Sequence, residues 1–356
     1  MGSVTGFQAE TPLHAKAREV LLAAFDQGWA DPRKIHQASR KAAILRDEAR
    51  EKFGELLQLA PDSIHFLGEA ALGFHLGLTG LLARSHTLFL PAISRQEVFA
   101  TRQSHEYVDG KAVELASDLK GSVLDLVAGE AEDVLAWQAV NGETGIRLAE
   151  PEGFAGRIFL DATSSTSPEN GEWDAGLWES GTWAGPRGIG VFALRSPTKW
   201  RNPLPHLDSR VVPGDASLPL ILTSAVALEH WRAEQEERNK KVRALNEKIR
   251  HFVTQEIGDV DIAGTMESAF TGEPAKLSFS FLYIDAERLV SELDRRGFAV
   301  DSGSACTSLE MKPSHVLAAM GLLTQGNIRL TLKMEHDERY VDSFLAALKE
   351  VVSEQR

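Results

Sequence analysis

The run Val134-Leu135-Ala136-Trp137-Gln138-Ala139-Val140 is apolar at every position but one and is closed by the polar Asn141. A strand half-exposed to water would alternate; a strand buried on both faces reads as a near-continuous apolar run. Three more such runs flank it, at 87–90, 158–160 and 189–194. Helical patterns lie beside them. Residues 13–25 follow Thr11-Pro12 and put Val20, Leu21, Ala24 and Phe25 on one face. Residues 39–59 stripe Ile44, Leu45, Ala49, Phe53, Leu56 and Leu57 opposite charged positions. Buried strands separated by helices predict an α/β unit, a mostly parallel sheet between helices.

Beyond that unit the pattern changes. A long helical stretch is predicted over 220–256, its charge run at 232–241 being the solvated face. A strand over 276–284, a helix over 286–296 and a strand over 328–332 follow. The last helix carries Val341, Phe344, Leu345, Leu348, Val351 and Val352 at helical spacing. We place the large α/β domain at 13–250, and a smaller α+β domain at 251–356 joined by residues 1–12.

The chain has 356 residues, with 51 acidic against 38 basic side chains and a net charge of −13. That sign argues against nucleic acid or an anionic membrane as partner. A single cysteine, Cys306, excludes an intrachain disulfide and fits a reducing compartment. Met1 to Gly6 has neither the basic nor the apolar region of a signal peptide, so a cytoplasmic location is expected. The eleven histidines show no metal-ligand spacing, and no metal site is expected.

Several local patterns arrive in a telling order. They are Asp31-Pro32 with Ile35-His36, Asn141 through Gly145, Asp161-Ala162, and Gly185-Pro186-Arg187-Gly188-Ile189-Gly190. After them come Gly303-Ser304-Ala305-Cys306-Thr307-Ser308, Pro313-Ser314-His315-Val316-Leu317 and Asn327-Ile328-Arg329. In order and approximate spacing the chain resembles the cysteine desulfurases and related class V aminotransferases, from about residue 7 onward. These are pyridoxal-phosphate (PLP) enzymes. The resemblance implies an aspartate-aminotransferase-like large domain and a homodimer with its pocket at the subunit interface.

Residue by residue, the resemblance implies less chemistry than fold. The coenzyme lysine of the family aligns with Thr182 and the histidine before it with Gly181; a hydroxyl cannot form an imine. Apart from Lys120, no lysine occurs between Val113 and Thr198, and Lys199 lies past the strand at 189–194. The ring-stacking histidine aligns with Arg95, and the groups that contact the ring's phenol oxygen align with Gly142 and Ser164. The phosphate-binding serine aligns with Glu179, or with Ser180 if the register slips by one. The phosphate turn reads Phe66-Leu67-Gly68-Glu69-Ala70-Ala71, and the partner subunit's threonine aligns with Asp215. A carboxylate about 4 Å from a phosphate charge costs roughly 4 kcal/mol at an effective dielectric near 20. Glu69, Glu179 and Asp215 together would cancel most of a micromolar affinity of about 8 kcal/mol.

The retained positions each have two readings. Cys306, the family's persulfide carrier, sits among small residues that suit an exposed loop, yet a lone cysteine is often a buried small hydrophobe. Arg329 aligns with the arginine that binds the substrate carboxylate; otherwise it is a structural ion-pair partner. Asp161 aligns with the aspartate that holds the pyridinium nitrogen, or it caps the Thr163–Ser167 turn. Gly185-Pro186-Arg187-Gly188 is a turn before it is an anion site.

Three functions follow. The first is a non-catalytic homologue without covalently bound PLP, serving as partner, scaffold or sulfur acceptor through Cys306. The second is a working PLP enzyme of the family. The third is a small-molecule carboxylate-binding protein using Arg95 and Arg329. An intact paralogue or a sulfur-transfer protein is the partner to weigh against a second copy of the chain.

Overall fold

A computed structural model describes residues 6–206, 209–214, 216–264, 272–303 and 313–356. Two helices come first, α1 (Ala15–Gln27) and α2 (Gln37–Leu57). Then β1 (Ile64–Leu67), α3 (Ala70–Leu81), β2 (Thr87–Pro91), α4 (Gln96–Tyr107) and β3 (Lys111–Leu115) alternate. They are followed by β4 (Val134–Gln138), β5 (Arg157–Asp161), β6 (Ala175–Glu179) and β7 (Gly190–Leu194).

These strands form one sheet in the order β1-β7-β6-β5-β4-β2-β3. The quoted run forms β4, an interior strand buried at all five positions and parallel to both β2 and β5. β7 alone runs against its neighbours β6 and β1. The run at 189–194 is therefore a buried strand but an antiparallel one. Only residues 180–189 link it to β6, too few for the crossover that a parallel pair needs.

Two of the predicted helical faces are corrected by packing. α1 lies on α5 (Leu218–Ala233) and buries Ala17 and Ala24, while Phe25 stays exposed. α2 buries Ala42, Ala49, Phe53 and Leu57 and leaves Ile44 exposed. Small residues let helices approach closely, so the buried face of α1 is not its bulkiest one. The single helix expected over 220–256 is two, α5 and α6 (Gln235–Phe252), with the break at Glu234.

That break divides two cores. Ile221, Ala225, Ala227 and Leu228 of α5 pack with the large sheet. Val242, Leu245 and Ile249 of α6 pack instead with the second sheet, although they precede residue 251. That sheet orders β10-β9-β8, from β8 (Val260–Ile262), β9 (Lys276–Phe281) and β10 (Asn327–Thr331). The short α8 (His315–Ala319) returns Val316 and Leu317 to the first core, while α7 (Ala286–Arg295) and α9 (Glu338–Gln355) pack into the second. All six apolar residues read from the terminal helix are buried in this core, and Phe7 inserts beside them.

Among the described residues no helix is long and apolar enough to cross a membrane.

Candidate functional site

A cavity of about 1440 Å³ lies where the carboxyl ends of β4, β5 and β6 meet the second sheet. Ligands collect at strand carboxyl ends in open α/β sheets because loops and helix starts converge there. Arg95, Gly142, Ser164, Glu179, Thr182 and Arg329 all line it, so most of the candidate residues are brought together. Cys306 and Asp215 lie outside the described residues.

Beneath the cavity lies the end of β5, which is not itself part of the lining. Asp161, the last residue of that strand, is buried, and its Oδ1 accepts from both the Thr163 amide (2.9 Å) and the Thr163 hydroxyl (2.6 Å). That is the turn-capping contact of one of its two readings. Burial raises its pKa, with Arg95 and the Thr163 hydrogen bonds pulling the other way. Arg95 precedes α4 and reaches across to donate from Nη1 to Thr163 Oγ1 at 2.8 Å. Its guanidinium lies 5.5 Å over the Phe74 ring and 3.4 Å from Glu97. Burial works against its charge, but Asp161, Glu97 and Glu179 outweigh burial and hold its pKa up.

Thr182 sits in the turn after β6 and donates from Oγ1 to the Thr163 carbonyl at 2.6 Å. Ser180 is turned away, its hydroxyl 2.7 Å from that of Ser224 in the core. Glu69 does not line the cavity: it is exposed, and its carboxylate accepts from the Ala71 amide at the start of α3. Of the three acids expected around a phosphate, Glu179 alone is found on the cavity wall among the described residues. Lys199 pairs with Asp174 at 2.8 Å on a separate depression, away from this cleft.

The opposite wall comes from Asn141 and from β10. Asn141 Oδ1 accepts from the Glu143 and Thr144 amides and its Nδ2 donates to the Ile93 carbonyl, which fixes the 141–146 turn. Arg329 donates from Nη2 to the Ser302 carbonyl at 2.9 Å and stands 3.9 Å from Glu143. Among the described residues its Nε is buried without a hydrogen-bond partner, as is Glu143 Oε1. This pair is too loose to satisfy either side chain. Gly303 donates its amide to Asn327 Oδ1, and a Cβ there would fall 2.7 Å from Glu143 Oε1.

Two features were invisible in the sequence pattern. Lys276 lines the cavity and donates to the Gly142 carbonyl at 3.0 Å. The sequence clue was its place at the head of an alternating strand, Lys276-Leu277-Ser278-Phe279-Ser280, read for its apolar half only. His14, His230 and Glu234 bring ligand-type atoms within 4.8 Å of one another, a grouping that sequence spacing could not reveal. There His14 already faces Glu234 at 3.3 Å and accepts from the Lys16 amide.

A two-unit α/β frame with its cleft at the carboxyl ends of a mostly parallel seven-stranded sheet is the fold of the type I PLP-dependent transferases. Within that class the neighbours are specific. A solved NifS-like protein superposes with a TM-score of 0.86 at 23% identity, covering 98% of each chain. The apo structure of a cysteine desulfurase from Thermococcus onnurineus gives 0.81 at 16%, covering 97% of this chain and 93% of that one. The curated cysteine desulfurase IscS of Dictyoglomus turgidum is 24% identical over 98% of this chain and 94% of its own. That of Gluconacetobacter diazotrophicus is 30% identical over 48% of this chain and 43% of its own. No family model matches the chain. Over nearly its whole length the chain is similar to the cysteine desulfurases, as the sequence resemblance implies.

Proposed function

We propose that this cysteine-desulfurase-like protein has given up PLP chemistry and acts as a non-catalytic partner whose cleft binds a small carboxylate. The observation that carries the reading is the hydrogen-bonded chain Arg95–Thr163–Asp161, joined by Thr182. PLP in this fold needs a lysine amine, a ring-stacking face, a free carboxylate for its pyridinium nitrogen and a cradle for its phosphate. The residues here do not fit that group. Thr182 offers only a hydroxyl, already donated to the Thr163 carbonyl. Asp161 already holds the Thr163 amide and hydroxyl on Oδ1, with Arg95 standing where the stacking ring is expected. Glu69 fills the start of α3, and Glu179 adds negative charge to the wall.

Arg329 is what supports the carboxylate. A planar guanidinium matches a carboxylate in two parallel hydrogen bonds, and its buried Nε has no other acceptor among the described residues. The same reading has two copies of the chain form a cytoplasmic homodimer, with an intact paralogue or a sulfur-transfer protein as the alternative partner. In that setting Cys306 accepts sulfur. Incubation with an active desulfurase and cysteine then adds sulfur to the wild-type mass and none to Cys306→Ala.

The deciding experiment is the absorption spectrum of the purified protein with borohydride reduction. A colourless protein with no pyridoxyl adduct is expected. A yellow preparation that releases sulfide from cysteine overturns the reading and restores a working desulfurase. Small carboxylates should raise the melting temperature of the wild type and leave Arg329→Gln unmoved.

A further inference from the structure

Lys276 is an amine with an unusual address. β9 alternates, so Leu277, Phe279 and Phe281 enter the second core while Lys276, Ser278 and Ser280 take the other face. β10 runs antiparallel beside it, with Thr331 opposite Lys276 and Arg329 opposite Ser278. Lys276 and Arg329 are thus diagonal neighbours on the cleft side, with backbones roughly 7 Å apart.

The stem is held in place. Gly145 has φ +74°, and a Cβ there would sit 2.9 Å from Lys276 Cβ, so the turn lies closely against the lysine only because it is a glycine. Lys276 Nζ donates to the Gly142 carbonyl at 3.0 Å, and among the described residues no carboxylate lies within ion-pair distance of it. Burial lowers the amine to about 8; Arg95 and Arg329 act with burial, and Glu273 and Asp161 act against it.

Resting on the reading that the cleft is free of coenzyme, we propose that Lys276 captures the carbonyl of a small aldehyde acid or 2-oxo acid whose carboxylate is held by Arg329. The neutral amine's lone pair attacks the carbonyl carbon and the carbon–oxygen π bond opens. Both nitrogen hydrogens leave with that oxygen as water, giving an imine. No oxidant or reductant enters. At pH 7 about one amine in ten is unprotonated, against fewer than about one in a thousand at the ordinary lysine value.

The test uses the full chain at pH 7 with glyoxylate and cyanoborohydride, which reduces the imine to a carboxymethyl group that peptide mass spectrometry locates. Lys276 should be modified at least about 10-fold faster than the exposed Lys111, well within the roughly 100-fold or greater excess of free amine that its lowered pKa supplies. Modification at this site should vanish in Lys276→Arg, which keeps the cation, and fall several-fold in Arg329→Gln. On the wild type, propionaldehyde, with no carboxylate, should show no preference for Lys276. Equal labelling of Lys276 and Lys111 by glyoxylate overturns the proposal, and so does an equal preference for Lys276 with propionaldehyde. A pyridoxyl adduct after borohydride overturns the coenzyme-free reading itself. A colourless protein whose Lys276 stays unlabelled overturns only the present proposal.

Discussion

Arg95 donates to the Thr163 hydroxyl at 2.8 Å, and that hydroxyl donates in turn to Asp161 at 2.6 Å. A part-buried cation and a buried carboxylate are thereby joined through one neutral group. Removing either charge should be felt at the other.

Arg95→Gln is expected to cost about 2–4 kcal/mol, because Asp161 keeps its buried carboxylate and loses the opposing charge. Asp161→Asn should cost less, since Arg95 still has Glu97 at 3.4 Å. In the double variant the two losses should fall short of their sum by about 1 kcal/mol or more. Urea unfolding of the four proteins measures this; simple additivity would mean that the two charges do not communicate.

Gly145 is the next point of control. An alanine there meets a left-handed backbone and the Lys276 Cβ together. Gly145→Ala should cost about 1–3 kcal/mol, more than a left-handed residue alone. Gly153 also has positive φ but has nothing within 4 Å of its Cβ position. Gly153→Ala is the control that isolates the backbone part. Equal losses in the two variants would show that the contact with Lys276 carries no strain.

What the sequence made legible, and what it hid, follows from the range of the interactions involved. The buried run at 134–140 and the stripe from Val341 to Val352 are set by local period, and both are found where that period places them. Thr182, Arg95 and Arg329 line one cleft because the ordered motifs carry the fold with them. The direction of β7 was not legible, since an apolar run has no arrow and only the short link from β6 supplies one. Glu69 was misjudged because sequence says which residue is acidic and not which way it turns. Lys276 was missed because its meaning comes from Gly142 and Gly145, more than 130 positions away.

His65 gives the protein an acid-sensitive point. Burial, with the Arg50 charge adding to it, lowers this histidine from 6.5 to about 4. Between those values the unfolded chain holds a proton that the folded chain lacks, so stability is complete above pH 6.5 and drains as pH falls toward 4. A loss of about 2 kcal/mol is expected over that window, less than the full shift allows because the ring is part-exposed. His65→Gln should flatten the slope in denaturation midpoints between pH 7 and 4.5. An unchanged slope would assign the acid sensitivity to other groups.

Lys276 acts on stability with the same sign in a different window. Its folded value is about 8 against 10.5 for an ordinary lysine. Below pH 8 both states are protonated and the folded one bears the full cost of enclosing a cation. From pH 8 to 10.5 the unfolded chain holds more protons, so stability rises with pH and the cost is gone above that range. Lys276→Met removes the cation and fills the space with an unbranched apolar chain. At pH 7 it should therefore stabilise the protein by about 1–3 kcal/mol, a gain for deleting a charged residue from a binding cleft. The advantage should shrink steadily from pH 8 and be absent by pH 10.5, where the lost hydrogen bond to Gly142 becomes a deficit of about 1 kcal/mol. Urea midpoints of the two proteins at pH 7, 9 and 10.5 settle the matter. A Lys276→Met variant less stable than wild type at pH 7 would mean that the amine is well solvated, and the source of its reactivity toward carbonyls would be lost with it.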